Sequence, residues 1–343
     1  YDGTLQRTWD SQVEGLQLRV PMLEIDTIAA GGGSICHFDG QRLRVGPESS
    51  GAQPGPACYR GGGPATITDC HVVLGRLDGD LLPSLFGPGR DQPVDPAASR
   101  AVFEEIAEQV GRCGQPKRSI EELAEGCLRI AVDRMAGAVR RISIEQGHSL
   151  DDVTLVSFGG AGGQAACLVA EALGIQRVLI HPQAGVLSAL GIGLASPSLS
   201  QECTLSCQLD SPEVTSTLDR LEADLQSRLQ SQGISPSDTR VQRRVHVKVK
   251  GWDGSIGVLE ADVASMRSSF LEQSHRRYGL DLAAEELIVD MAEVEIESIS
   301  KLQLPEVMVN EGAISEPVRL VDTVFGGRVF ETGVWSRASI LRG

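Results

Sequence analysis

The chain has 343 residues, 41% hydrophobic and 22% charged, with 46 Asp and Glu against 31 Lys and Arg for a formal net charge of −15. That apolar content offsets ordering entropy and excludes a mostly disordered chain; the acidic balance argues against a nucleic-acid groove, and no stretch reaches the roughly 18 apolar residues of a membrane span. The expectation is a soluble, cytoplasmic protein of about two domains, its eight scattered cysteines kept reduced.

Glycine crowds between residues 31 and 89 and again between 159 and 193, where backbone takes positive φ or approaches a ligand closely. In the first cluster AAGGGSI (29–35), SSGAQPGPACYRGGGPATITD (49–69) and FGPGRDQPVD (86–95) predict a structured loop region, punctuated by the apolar run 72–77. From Ser119 the pattern turns helical. Ser119 and Glu122 have capping-box spacing, and apolar residues from Leu123 to Ile142 recur at helical intervals until about Gly147. A strand at 153–158, a glycine turn at 159–163, a helix at 164–173 closed by Gly174 and a strand at 177–180 follow. This is α/β grammar. Beyond about residue 194 the chain is more polar, with a helix at 216–232, strands at 241–250 and 287–298, and a short one at 328–332. The sequence HRRYG (275–279) reads as a helix end. A boundary near residue 196 divides the chain into domains 1–195 and 196–343, the second of α+β type.

A strand running into glycines and then a helix can hold an anion, because free amides and the helix dipole point at the ligand. FGGAGG has that setting, against the plain alternative of a tight strand-to-helix connection. A dinucleotide fingerprint would need an acidic residue about 20 positions later, yet no Asp or Glu stands between Glu171 and Glu202. The adenosine-binding turn of ATPases related to actin, hexokinase and acetate kinase fits better. AAGGGSI is a second potential phosphate cradle or a simple bend; its Ser34 lacks the G-x-S-x-G elbow of an aimed nucleophile. Candidate metal donors are Asp26, Cys58, Asp69, Cys70 and His71, with His37 and Cys36 nearby. Their spacing matches no compact zinc motif, and Cys58 and Cys70 also suit buried apolar positions.

Read together, IDTIAAGGGSI, GPESSGAQPGPACYRGGGPATITDCHVVLGRL, LFGPGRDQPVD, EELAEGCLRIAVDRMAGAVRRIS and FGGAGGQAACLVAEALGIQRVLIHPQAGVLSALGIGLA resemble the hydantoinase A and 5-oxoprolinase family over most of residues 20–195. Weaker similarity continues through KGWDGSIGVLEAD and RRYGL to FGGRVFETGVWSRASILRG, and the oxoprolinase branch is the most similar. The resemblance implies an actin-like ATPase core of ribonuclease-H-like halves, with ATP and Mg²⁺ in the cleft and Zn²⁺ or Mn²⁺ as a candidate further metal. It implies phosphorylation of the lactam oxygen of 5-oxo-L-proline, or of a related hydantoin, and ring opening by water to glutamate. Gly159, Gly160, Gly162 and Gly163 would line the adenosine side, and Gly31, Gly32, Gly33 and Ser34 would approach phosphate or substrate. Asp69 and Ser34 are the expected catalytic residues, and Asp26, Cys58 and Asp69 the expected metal ligands. Ala165 stands where that branch carries His, Asp26 where His is often found, and His71 where Asn is usual. The family's N-terminal ribonuclease-H-like domain and hydantoinase-B-like half are the expected partners, in a homo-oligomer. Two alternatives are a non-catalytic assembly subunit and an ATP-dependent carboxylase subunit.

Overall fold

A computed structural model of the protein describes residues 7–13, 16–23, 25–145, 147–299 and 316–335. It divides into two compact units, the first within 1–142, 150–185 and 308–343 and the second within 143–149 and 186–307.

The first unit opens with an antiparallel hairpin of β1 (Arg7–Val13) and β2 (Leu16–Leu23). A second antiparallel hairpin follows, β3 (Ser34–Phe38) with β4 (Leu43–Ser49). Three helices come next: α1 (Ile67–Val73), α2 (Pro96–Arg112) and α3 (Ile120–Glu145). The α2 helix starts where Asp95 accepts from the amides of Ala97 and Ala98, with Pro96 in the first turn, a position that needs no N–H. The α3 helix starts on the predicted box, Ser119 N–H donating to Glu122 at 2.8 Å and Glu122 N–H to the Ser119 hydroxyl at 3.1 Å. On α3 the buried residues Leu123, Ala124, Cys127, Leu128 and Ala131 form one stripe at three- and four-residue steps. That stripe meets Phe103 and Ile106 of α2, Cys36 and Val45 of the hairpin, and Cys70 of α1 in one core. Each leucine so buried contributes about 2 kcal/mol. Next come β5 (Thr154–Ser157), α4 (Gly162–Leu173) and β6 (Arg177–Ile180). The two strands pair in parallel, which requires the helical crossover between them. Gly174, at φ +75°, closes α4.

In the second unit, α5 (Leu187–Leu194) precedes β7 (Ser198–Gln208), α6 (Pro212–Ser231), β8 (Thr239–Val249), β9 (Ile256–Leu259), α7 (Val263–Tyr278) and β10 (Leu287–Ser298). The strands form an antiparallel sheet in the order β7-β10-β8-β9. Its core face presents Val245, Val247, Val249, Val289 and Ile296 to α6, which buries Val214, Leu218, Leu221, Leu225 and Leu229 along one face. The HRRYG run ends α7, with Gly279 at φ +70° as its cap.

The chain then returns to the first unit. Strands β11 (Arg319–Phe325) and β12 (Arg328–Val334) form a hairpin that is fastened to α1 and α3. Arg76 donates to the Val324 carbonyl at 2.7 and 2.9 Å, pairs with Glu125 at 3.0 Å and lies over the Phe325 ring. Glu125 in turn accepts from the amides of Gly326 and Gly327. The residues carrying this hairpin thus group with the first compact unit, beside the division expected at residue 196. The sequence could not show this, because the fastening joins residues almost 250 positions apart. Among the described residues no helix is long and apolar enough to cross a membrane.

Candidate functional site

The two glycine turns lie side by side in the first unit. In the first, Ser34 N–H donates to the Gly31 carbonyl at 3.0 Å and Gly31 N–H donates to the Ser34 hydroxyl at 2.9 Å. Thr68 anchors the turn from α1, its amide and hydroxyl donating to the Gly32 carbonyl at 2.9 and 3.0 Å. A Cβ at Gly32 would come within 2.9 Å of the Thr68 hydroxyl and 3.6 Å of the Ala161 methyl, so Gly32 brings the first turn against the second. The second turn runs from Gly159, at φ +92°, into α4, whose cap Ala161 supplies no side-chain hydrogen bond. The first amides of an α-helix have no intrahelical acceptor, so this end can receive an anion. Gly162 is needed for packing, since a Cβ there would stand 2.9 Å from the Ser157 hydroxyl. Gly160 and Gly31 are different: a Cβ on either would meet open space.

Beside the first turn a cavity of about 240 Å³ opens between residues 28–30 and α3, lined there by Arg134, Gly137 and Arg141. The two arginines are seven apart and share a helix face. Arg141 pairs with Asp26, and Arg134 donates to the Val45 carbonyl. Sequence reasoning passed over both arginines, although their spacing on a recognised helix was visible.

Asp69 has a structural task. Its carboxylate is fully buried and accepts five hydrogen bonds. One oxygen takes the Ala57 amide (3.1 Å), the Thr66 amide (2.9 Å) and the Thr66 hydroxyl (2.8 Å); the other takes the Cys58 amide (2.8 Å) and the Ser99 hydroxyl (2.7 Å). It caps α1 and ties the loop at 57–66 to α2, and its lone pairs are spent on that work. Thr66 and Asp69 have the spacing of a capping box, the signal that could have revealed the role. Ser34 is likewise buried and engaged in closing its own turn. Neither residue is presented as a reactive group.

The expected metal set is not assembled. Asp26 is held by Arg141, Asp69 by its five donors, and Cys58 is buried with a thiol pushed up by desolvation beside Asp69. Among the described residues no group of three His, Cys, Asp or Glu could hold a metal ion, so these residues do not fit a Zn²⁺ or Mn²⁺ centre. Cys36 and Cys70 sit in the core with their sulfurs 3.8 Å apart, next to Cys127. His71 is also buried, and desolvation, followed by the charge of Arg76, lowers its pKa to about 4, so the ring is neutral at pH 7. Ala165 packs half-buried against the first core.

The hydantoinase/oxoprolinase family model matches residues 1–201. The chain is 35% identical to 5-oxoprolinase 1 of Arabidopsis thaliana over 304 residues, covering 84% of this chain and 24% of that protein. It is also 35% identical to 5-oxoprolinase of Saccharomyces cerevisiae over 306 residues, 88% of this chain and 24% of that one. The chain thus spans about a quarter of the length of these curated relatives. A crystal structure of the ATP-dependent caprolactamase from Pseudomonas jessenii superposes on 97% of this chain and 50% of its own, at 27% identity and a TM-score of 0.81. A nucleotide-free acetone carboxylase shares the fold at 20% identity, with a TM-score of 0.69 over 98% of this chain and 50% of that one. With its α/β first unit, its two abutting glycine turns and a family match over more than half its length, the chain belongs to the hydantoinase/oxoprolinase family.

Proposed function

We propose that the chain forms part of an ATP-dependent enzyme that opens a cyclic amide, 5-oxo-L-proline or a related hydantoin, with the two glycine turns as the reaction site. The observation that carries this reading is the close approach of the Gly32 position to Ala161, where an added Cβ would stand 3.6 Å from the Ala161 methyl, which sets two potential anion cradles next to each other. The open space at Gly160 and Gly31 supports it further, because neither glycine is needed there to avoid a clash. An unstrained lactam is a poor electrophile; ATP, when bound, supplies the phosphoryl group that turns the lactam oxygen into a leaving group. The protein's contribution is positioning and electrostatic stabilisation. In the actin-like arrangement Gly159, Gly160, Gly162 and Gly163 line the adenosine side of the nucleotide, and the Gly31–Ser34 turn holds the accepting lactam beside it. Arg134 and Arg141 offer guanidinium groups at the adjoining cavity for a substrate carboxylate. Mg²⁺ is held largely by phosphates and waters with one or two carboxylates, so it needs no three-donor protein cage.

The two-stranded parallel sheet leaves Val156, Leu179 and Ile180 exposed, whereas parallel sheets are normally covered on both faces. This supports a working protein with the family's N-terminal domain and hydantoinase-B-like half, in a cytoplasmic homo-oligomer. A second reading, an assembly subunit without catalysis, draws on Ala165, which places an apolar methyl where the oxoprolinase branch carries an imidazole. The test is formation of ADP and glutamate from ATP and 5-oxo-L-proline by the full-length protein or its complex; no turnover of either lactams or hydantoins overturns the proposal.

A further inference from the structure

A larger cavity, of about 460 Å³, opens in the first unit between the β3–β4 turn, the end of α2 and the face of α3. Its floor is apolar, including Val110 and Leu123, which are 2% and 1% exposed. Four arginines line it, Arg42, Arg44, Arg118 and Arg134, and no carboxylate does. That is a strong inversion of sign in a chain where Asp and Glu outnumber Lys and Arg 46 to 31.

The charges are only partly spent. Asp39, on the turn, pairs with the Arg44 guanidinium at 2.6 Å and accepts from the Arg42 amide at 2.9 Å, while the Arg42 guanidinium stands 4.0 Å from its carboxylate. Arg134 donates to the Val45 carbonyl, which leaves its charge uncompensated. Arg118 has no ion pair or hydrogen bond among the described residues. The walls are tied together: Gln115, on the loop after α2, donates to the Gln41 carbonyl at 2.6 Å. Guanidinium groups are planar forks that match carboxylate and phosphate oxygens, and low-dielectric walls focus their field. An apolar floor would be wasted on a fully hydrated ion. The volume lies within the roughly 300–1,000 Å³ of small-molecule sites.

We propose that this cavity is a binding site for an amphipathic anion, its carboxylate or phosphate head held by Arg42 and Arg118 and its apolar body laid over Val110 and Leu123. It is separate from the glycine turns; Arg134 alone lines both this cavity and the smaller one. The site is independent of the cyclic-amide reading, and its test needs no turnover.

Titration calorimetry of the full chain with octanoate, octyl phosphate and octylammonium decides the matter. The expected result is binding of at least one anion and none of the cation. Octanoate alone would assign a carboxylate head, and octyl phosphate alone a phosphate monoester. The double variant Arg42→Ala/Arg118→Ala should weaken anion binding at least tenfold with an unchanged melting temperature, since both side chains are exposed. Arg112→Ala, on an exposed arginine at the end of α2, should bind as the wild type does. Absence of binding by both anions, equal binding of octylammonium, or undiminished affinity in the double variant would each overturn the proposal.

Discussion

Replacing Asp69 with Asn separates a structural carboxylate from a catalytic one. The two side chains have the same shape, so the change tests hydrogen bonding alone. The best orientation puts the new NH₂ where the Cys58 amide and Ser99 hydroxyl now donate. The hydroxyl can turn to accept, but the Cys58 N–H is left facing a donor. One buried orphan donor costs about 1–3 kcal/mol, and loss of charge from the three bonds at the other oxygen costs about 0.5–1 kcal/mol each. The expected destabilisation is about 4 kcal/mol. In urea unfolding followed by circular dichroism, a slope near 2 kcal/mol per molar turns this into a midpoint lowered by about 2 M. A midpoint moved by less than about 0.5 M, together with loss of turnover in the full-length protein, would refute the structural assignment and restore Asp69 to the chemistry.

Two further outcomes follow from burial. The neutral His71 ring has its pKa lowered from 6.5 to about 4, so the unfolded chain binds the proton first. Its contribution to stability is kept above pH 6.5 and lost as pH falls toward 4, by about 3 kcal/mol in all; pH-dependent melts of His71→Asn should show a correspondingly shallower acid loss, and identical profiles would contradict this. Gly75 has φ +67°, and a Cβ there would stand 2.2 Å from the Asp322 carbonyl oxygen. Gly75→Ala should lower stability by about 2 kcal/mol or more and speed proteolysis within residues 316–335, whereas unchanged cleavage would mean that the hairpin is not fastened at this point.

The elements that could be read from the sequence were those fixed by local rules. Helix α3 followed from its capping box and apolar stripe, and the β5–α4–β6 unit from apolar runs around glycines. Strand β10 and the end of α7 lay where alternation and a terminal glycine put them. Helix α2 went unread although Asp95-Pro96 is a helix-start signal, and α1 was hidden among glycines despite Thr66 and Asp69. In the site, the glycine turns were legible as turns, but their meeting was not, because it depends on α1 carrying Thr68 beneath Gly32. The structural engagement of Asp69 and Ser34 was not legible for one physical reason. Polar residue type suggests reactivity, while burial and partners decide it, and these come from contacts such as Asp69 with Ser99 thirty positions away.

Product formation in the full-length protein, wild type beside Gly160→Val, tests ATP-dependent opening of a cyclic amide. A side chain at 160 enters open space, so the fold should tolerate it, with stability within about 0.5 kcal/mol of wild type, while the nucleotide's approach is blocked. The wild type should form equal amounts of ADP and glutamate from ATP and 5-oxo-L-proline, or ADP with the ring-opened product from a hydantoin. The rate should fall more than tenfold in the variant at unchanged melting temperature. Absence of lactam or hydantoin turnover in the wild type, or full turnover in Gly160→Val, would contradict it.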